Sequence, residues 1–452
     1  MRKTMIITDP IHQVMNLGSD PNLRKCLKTV IDSRTFQRLR RISQLGLTSY
    51  VFPGATHTRF SHSLGVAYLA HSVLTHLREW AEKHDRDEID EHFTDVIIAA
   101  LLHDIGHGPF SHSFEQVLNE YEWAPLHEDW TATLISNPNS EIHQRLKACN
   151  LDPSKIASIF VKPSTSAFPR PFRQIVSSQL DADRMDYLIR DSHFAGVAIG
   201  RFDAHYLINS IVIVSHGASG SARTLGLTPK GVKAYEAFLL ARQLMNRTVY
   251  YHHNVKVLEF MIEHLLRLAV RHHAILMADK QIGPFVPPYL QRVSEAIQSR
   301  GVSKQDFMEQ ARSDYIRLTE DMTWALVSAL AESAAIPLAQ HLAQKLLTRD
   351  ILPHFMVETG KKELLKESLV ASGFVEETDF HLVDLKTTMY KGNGDERVFV
   401  LGWKGHIEEV VQHSDTISAL RDRPEAESLL IVIDPDKKEK IEKLVKENQF
   451  VV

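Results

Sequence analysis

The decisive stretch is Leu101-Leu102-His103-Asp104-Ile105-Gly106-His107-Gly108-Pro109-Phe110-Ser111-His112, in which an apolar helical run breaks into a burst of ionisable groups. Core helices rarely end that way without a chemical reason. His103 and Asp104 are chain neighbours, about 100° apart around a helix axis, so they converge on one ion only at a cleft and with partners from other helices. Two segments offer partners: Arg59-Phe60-Ser61-His62, heading the apolar helix that begins at Leu64, and Gln179-Leu180-Asp181-Ala182-Asp183-Arg184-Met185-Asp186-Tyr187. His62, His103, Asp104 and Asp183 then supply two imidazoles and two carboxylates. That set suits Mn, Fe, Ni, Zn or Mg, with positions left for water and substrate. A lone His-Asp pair usually marks a solvated helix end; three such segments together are far harder to assemble by chance.

Outward from this stretch the chain is ordinary globular material. Its 452 residues are 44% apolar and 24% charged, which sets aside disordered, collagen-like and coiled-coil classes and leaves length for two or three domains. Lys and Arg total 52 against 56 Asp and Glu, a net charge of −4. No global field draws nucleic acid, so any anion site must be a local cluster. Cys26 and Cys149 lie far apart without a CxxC spacing, which speaks against a disulfide framework or a thiolate zinc site and for a reducing, cytoplasmic location. The first residues are interrupted too early, at Asp9-Pro10, for a secretory apolar region, and no uncharged apolar run is long enough for a membrane span. The oddity is 25 histidines, the commonest metal ligand and the natural acid–base side chain near neutral pH.

From Pro21 to about Met277 apolar residues recur three and four apart, as at Leu64, Ala67, Tyr68, Val73, Leu74 and Leu77, and predict a mostly α body. Strand-like runs there are confined to residues 6–8 and 211–214, and the Gly- and Ser-rich stretch 217–229 reads as an exposed loop. Beyond Lys361, alternating runs at 380–385, 397–401 and 429–433 precede a charged helix over 437–448. The expected organisation is a helical catalytic domain over residues 1–360 and a small α+β domain over 361–452.

With Thr8-Asp9-Pro10-Ile11-His12, Phe36-Gln37-Arg38-Leu39-Arg40, Tyr50-Val51-Phe52-Pro53-Gly54-Ala55 and His62-Ser63-Leu64-Gly65 added, the chain resembles the HD superfamily of metal-dependent phosphohydrolases. Within it, the likeness is to the deoxynucleoside triphosphate triphosphohydrolases related to the animal protein that joins a sterile-alpha-motif domain to an HD domain. It fades beyond about Ile262, and the front of the chain leaves no room for that adaptor. The resemblance implies an HD-type helical fold and the same four metal ligands that donor chemistry selects. It further implies cleavage of a dNTP at the α-phosphorus to deoxynucleoside and tripolyphosphate, Mg accompanying the triphosphate, activation by GTP or dGTP, and assembly into dimers or tetramers.

A divalent ion in such a set lowers the pKa of water and polarises a phosphoryl oxygen. The leaving 5′ oxygen still needs a proton, and His107, His112 and His127 are available. His112 and Glu115, three apart, share a helix face on which the carboxylate orients the imidazole and raises its pKa. We expect His112 as general acid, with His107 and His127 on the phosphates; His127 read alone is as readily an ordinary surface histidine. Asp183, Tyr187 and Asp191 also share a face, beside an anion-binding Arg184, and form a stripe that could hold a sugar. Periodicity alone would make Tyr187 core packing. The resemblance implies Tyr187 under the ribose against a 2′-hydroxyl, Asp191 at the 3′-hydroxyl, Gln44 at the sugar, Arg59 and Arg242 at the phosphates, and Tyr250 nearby.

It also implies a regulatory guanine-nucleotide pocket at Asp32, Gln37 and Arg40. These lie in the basic run Arg34, Arg38, Arg40, Arg41, which composition alone makes a solvated helix face. The positions matching an activator-phosphate lysine and an asparagine read Met5 and Thr8. Two other classes compete: a nucleotidase or phosphodiesterase on the same metal site, and a nucleotide- or nucleic-acid-binding module without turnover.

Overall fold

The computed structural model describes residues 5–450 except 19, 82, 162–164, 217–221, 300, 358, 377–378, 388–396, 422–425 and 449. It is mostly α with a few small sheets, as the periodicity predicts. A hairpin of β1 (Ile6–Asp9) and β2 (Gln13–Asn16) leads into α1 (Pro21–Ile31), which starts on an Asp20 cap with proline in its first turn. The body is then framed by α2 (Arg59–Trp80), α3 (Lys83–Leu102), α4 (His112–Gln116), α5 (His127–Ser136), α6 (Ala182–Ala195), α7 (Val232–Met245) and α8 (His253–Arg271).

Val96 to Leu102 are all fully buried, so the end of α3 is apolar on every side and runs through the middle of the core against α2. That burial is what delivers His103 and Asp104 to the interior. Asp181 caps α6 by accepting from the Arg184 amide, and Gly196 ends it in the left-handed region at φ +73°. Where α6 crosses α2, a side chain at Gly65 would strike Asp186 and Arg190, so glycine is required by the close approach. Arg190 is fully buried, donating to Asp186 Oδ2 at 2.7 Å and to Asp9 Oδ2 at 2.8 Å, and so ties the hairpin to α6.

The loop after α3 is held by a residue that sequence reading placed on a solvated face. Arg38 is buried, and it donates to the carbonyls of His107 at 2.7 Å, Leu318 at 2.9 Å and Ile105 at 3.3 Å. The basic run is therefore not one exposed face: Arg40 and Arg41 are exposed, whereas Arg38 turns inward because those carbonyls lack helical partners. Phe110 and Ser111 in the same loop both have φ of 54°, a conformation that non-glycine residues adopt at a cost and mostly near functional sites.

The stretch expected as an exposed loop is partly a strand. Residues 217–221 lie outside the described residues, but β4 (Ala222–Leu227) pairs antiparallel with β3 (Ile211–His216) and buries Thr224 to Leu227. Pairing with the apolar β3 outweighs the local Gly and Ser content. The later strands are β5 (His354–Val357), β6 (Phe380–Thr387), β7 (Phe399–Leu401), β8 (Ile407–Glu409) and β9 (Ala426–Ile433). They do not respect a division at residue 361: β7 lies parallel to β4, extending the body's sheet to the order β3-β4-β7-β8, while β5 joins the sheet β5-β9-β6. In β9 the alternation sends Leu429, Ile431 and Ile433 into a small core with Leu365, Leu369, Ile441 and Val445. Leu430 and Val432 enter the larger core built on α8.

Candidate metal centre and its cleft

The four side chains chosen for their donor chemistry meet. His62 comes from α2, His103 and Asp104 follow α3, and Asp183 sits in the first turn of α6. His62 Nε2 lies 3.2 Å from His103 Nε2, 3.0 Å from Asp183 Oδ1 and 3.7 Å from Asp104 Oδ2; His103 Nε2 lies 3.2 Å from Asp104 Oδ1 and 3.5 Å from Asp183 Oδ1. The other ring nitrogens fix the tautomers. His103 Nδ1 is 2.9 Å from the Ala100 carbonyl, which only accepts, and His62 Nδ1 is 2.8 Å from Asp186 Oδ2. Both Nε2 atoms thus present lone pairs to each other and to two carboxylates, an arrangement that repels itself unless it shares a cation. The residues fit a divalent ion.

The electrostatics agree. Burial works to lower the pKa of His62, but hydrogen bonds to Asp183 and Asp186 and the nearby charges raise it to about 10. His103 is raised against the same penalty by Asp104 and Asp183. Asp104 is held well below the usual carboxylate range despite burial, by Arg59 first and then His103 and His107, and Asp183 is lowered by its bonds to His103 and His62. Protons and a divalent ion are alternative occupants of one strongly negative corner.

Asp186 lies in the Asp183 segment, and its sequence context alone assigns it no role. It orients His62 and takes His12 Nε2 at 2.6 Å on its other oxygen. Its spacing of three from Asp183 on one helix was the available signal.

Beside the corner lies a second group. His107 Nε2 is 3.3 Å from Asp104 Oδ1, and its ring stacks on His127 with centroids 3.8 Å apart. Glu115 accepts from the His127 backbone at 2.8 Å, meets His127 Nδ1 at 2.7 Å and His112 Nδ1 at 3.2 Å. His112 keeps 70% of its side chain exposed, whereas His127 is mostly buried. Burial, then Arg59 and His127, press the pKa of His107 far below its ordinary value. Glu115 raises His127 against its burial and is itself lowered by both imidazoles. Arg59 bonds Asp104 and reaches Ser111 Oγ at 2.7 and 2.9 Å.

Both groups open on a cleft of about 400 Å³. Tyr187 and Asp191 on α6 line it, as does Tyr250, delivered by a π-helical turn (Asn246–Tyr250) of the kind that recurs at functional sites. Asp191 is buried and doubly braced, by the Tyr250 hydroxyl at 2.7 Å and by His57 Nε2 at 2.7 Å. Each carboxylate oxygen still has a lone pair for another donor. Among the described residues, Gln44 Oε1 and His107 Nδ1 are buried without hydrogen-bond partners, and both residues line the cleft, as expected of groups awaiting a polar ligand.

Arg184 pairs with Asp181 at 2.8 Å and Arg242 with Gln179 at 3.0 Å; neither is among the residues lining the cleft, but both charges act on Tyr187, which does line it. Tyr251, Lys256 and Glu259 line the cleft and were missed, since they read as ordinary residues at the start of an amphipathic helix. Asp32 and Arg40 are exposed and Gln37 is half-buried: Gln37 Nε2 donates to the Ile31 carbonyl at 2.8 Å, its Oε1 accepts from Arg40 Nε at 2.8 Å, and Arg40 lies 3.5 Å over the Phe60 ring. Among the described residues, no helix is long and apolar enough to cross a membrane.

Residues 59–191, from the start of α2 through Asp191 on α6, match the HD domain, and residues 202–281 match the HD associated region. The chain thus carries an HD domain followed by an HD associated region. Its relatives include the Bacillus subtilis protein YwfO, 33% identical over 59% of this chain and 56% of that one. The Dictyostelium discoideum protein called deoxynucleoside triphosphate triphosphohydrolase SAMHD1 homolog is 32% identical over 58% of this chain and 48% of that one. The chain thus spans about half the length of these relatives. A crystal structure of a Bacteroides thetaiotaomicron phosphohydrolase superposes with a TM-score of 0.73 at 26% identity, covering 96% of this chain and all of the other.

Proposed function

We propose that the chain hydrolyses deoxynucleoside triphosphates at the α-phosphorus, releasing deoxynucleoside and tripolyphosphate. The observation that carries this reading is a single cleft that joins the four-ligand corner to a wall of Tyr187, Tyr250 and the doubly braced Asp191. His62, His103, Asp104 and Asp183 would hold a divalent ion, whether Mn, Fe, Ni, Zn or Mg, which would supply Lewis acidity at the phosphoryl group, and a further Mg would accompany the triphosphate. Arg59, anchored between Asp104 and Ser111, brings positive charge to the phosphates, where His107 and His127 also bind. His112, braced by Glu115, donates the proton to the departing 5′ oxygen. Tyr187 supports the sugar, and Asp191 and Gln44 take its hydroxyl. The names borne by several relatives support the same substrate class.

Within this reading, the surface of Asp32, Gln37 and Arg40 takes GTP or dGTP at a contact between copies of the chain in a dimer or tetramer. One experiment tests both parts: ion-exchange chromatography of the products from each of the four dNTPs, with and without GTP. Tripolyphosphate appearing faster with GTP is expected. Orthophosphate or pyrophosphate as the sole inorganic product refutes the cleavage position, and identical rates refute the activation.

A further inference from the structure

The two cationic side chains lining the cleft, Arg59 and Lys256, stand in different surroundings. Arg59 belongs to the metal corner, through Asp104 and Ser111. Lys256, in the first turn of α8, has its Nζ 2.7 Å from Glu259 Oε2 and 5.0 Å from the centre of the Tyr251 ring. All three residues line the cleft, and no hydrogen bond among the described residues joins them to the metal corner or to the His112–Glu115–His127 group. A polyphosphate tail fits this spot badly. A carboxylate beside the ammonium repels it, and Glu263 follows one turn on, close enough to feel both charges.

A neutral, planar group with an acceptor next to donors fits well, with Tyr251, Leu45 and Leu47 offering aromatic and apolar surface around it. We propose that Lys256 and Glu259 read the nucleobase and select guanine. This rests on the dNTP reading above and adds the base. Lysine donating to O6 while a carboxylate accepts from N1–H and the 2-amino group gives guanine three bonds, two of them a charge-assisted fork. Adenine, cytosine and thymine each present one donor next to an acceptor on that edge, and make two. Lys256 and Glu259 keep 22% and 26% of their side chains exposed, so water softens the discrimination to about tenfold rather than the far larger ratios of sealed sites.

The test compares kcat/KM for dGTP, dITP, dATP, dCTP and TTP at a fixed saturating GTP concentration, so that any activation is common to all, alongside equilibrium binding of the same five nucleotides. The expected result is a dGTP advantage of about tenfold or more over the other three natural substrates, with dITP, which lacks the 2-amino group and so makes two bonds, grouped with them. Glu259→Gln, whose amide oxygen still accepts a single bond, abolishes the advantage, so that within this variant kcat/KM for dGTP lies within about threefold of that for dATP. Equal use of dITP and dGTP overturns the assignment without any mutation. A Glu259→Gln variant whose KM rises equally for all five nucleotides also overturns it, since the pair then serves a part common to them all. If no nucleotide yields tripolyphosphate while dGTP still binds about tenfold more tightly than dITP, the cleavage reading falls and the base assignment survives; equal binding sinks the assignment.

Discussion

Arg38 shows how much one side chain can organise at this site. A buried guanidinium spans the carbonyls of Ile105, His107 and Leu318, and Tyr315 adds a hydroxyl to the Gly106 carbonyl at 2.5 Å, so the loop that carries His107 is fixed from behind. Arg38→Leu leaves three buried acceptors without donors, and we predict a loss of about 2–4 kcal/mol in urea unfolding, with lowered activity. A loss below about 0.5 kcal/mol would place the loop's support elsewhere. The ligands were legible because adjacent His and Asp at the end of an apolar helix have few other uses. Arg38, His57 and Asp186 were not, since a buried arginine or a buried His–carboxylate pair has no signature distinguishing it from surface charge until its partner, far along the chain, is known.

Among the elements, α8 carries the clearest pH signal. Lys256, Glu259 and Glu263 recur at helical spacing along it, and burial, followed by the Glu259 charge, lifts Glu263 to about 7. The folded state therefore keeps this proton after the unfolded chain, near 4.5, has lost it. The group's favourable contribution is complete below the unfolded value, falls as pH climbs from about 4.5 to 7, and is gone above that. Because Glu263 still meets some water, about 1 kcal/mol is at stake. Glu263→Gln is expected to be more stable than wild type at pH 8 by that amount and indistinguishable at pH 4, measured by unfolding at both pH values. An equal difference at the two pH values contradicts the assignment. The helices themselves were readable from period-3.6 patterning, whereas β4 was not, because its partner β3, not its own composition, makes it a strand.

On the scale of the whole molecule, the small C-terminal unit is woven into the body. β7 extends the body's sheet along β4, and β9 pairs with β5, which precedes residue 361 in the chain. Leu430 and Val432 fill part of the core around α8, each worth roughly 1.5–3 kcal/mol of burial. A chain cut after residue 360 loses these and bares the β4 and β5 edges, and we predict that it aggregates or melts without a cooperative transition. Wild-type melting of the truncated chain would contradict this. The alternation that marked these strands was visible in the sequence; which strand each one joins was not, because pairing partners lie far apart in the chain.

The account turns on one cation held by His62, His103, Asp104 and Asp183. Crystals of the protein grown with Mn, measured at a wavelength where Mn scatters anomalously, test it most directly. The predicted result is a single strong peak about 2.0–2.3 Å from the four donor atoms, absent in Asp183→Ala. A corner that stays empty at saturating Mn, or a peak lying elsewhere, would contradict the account.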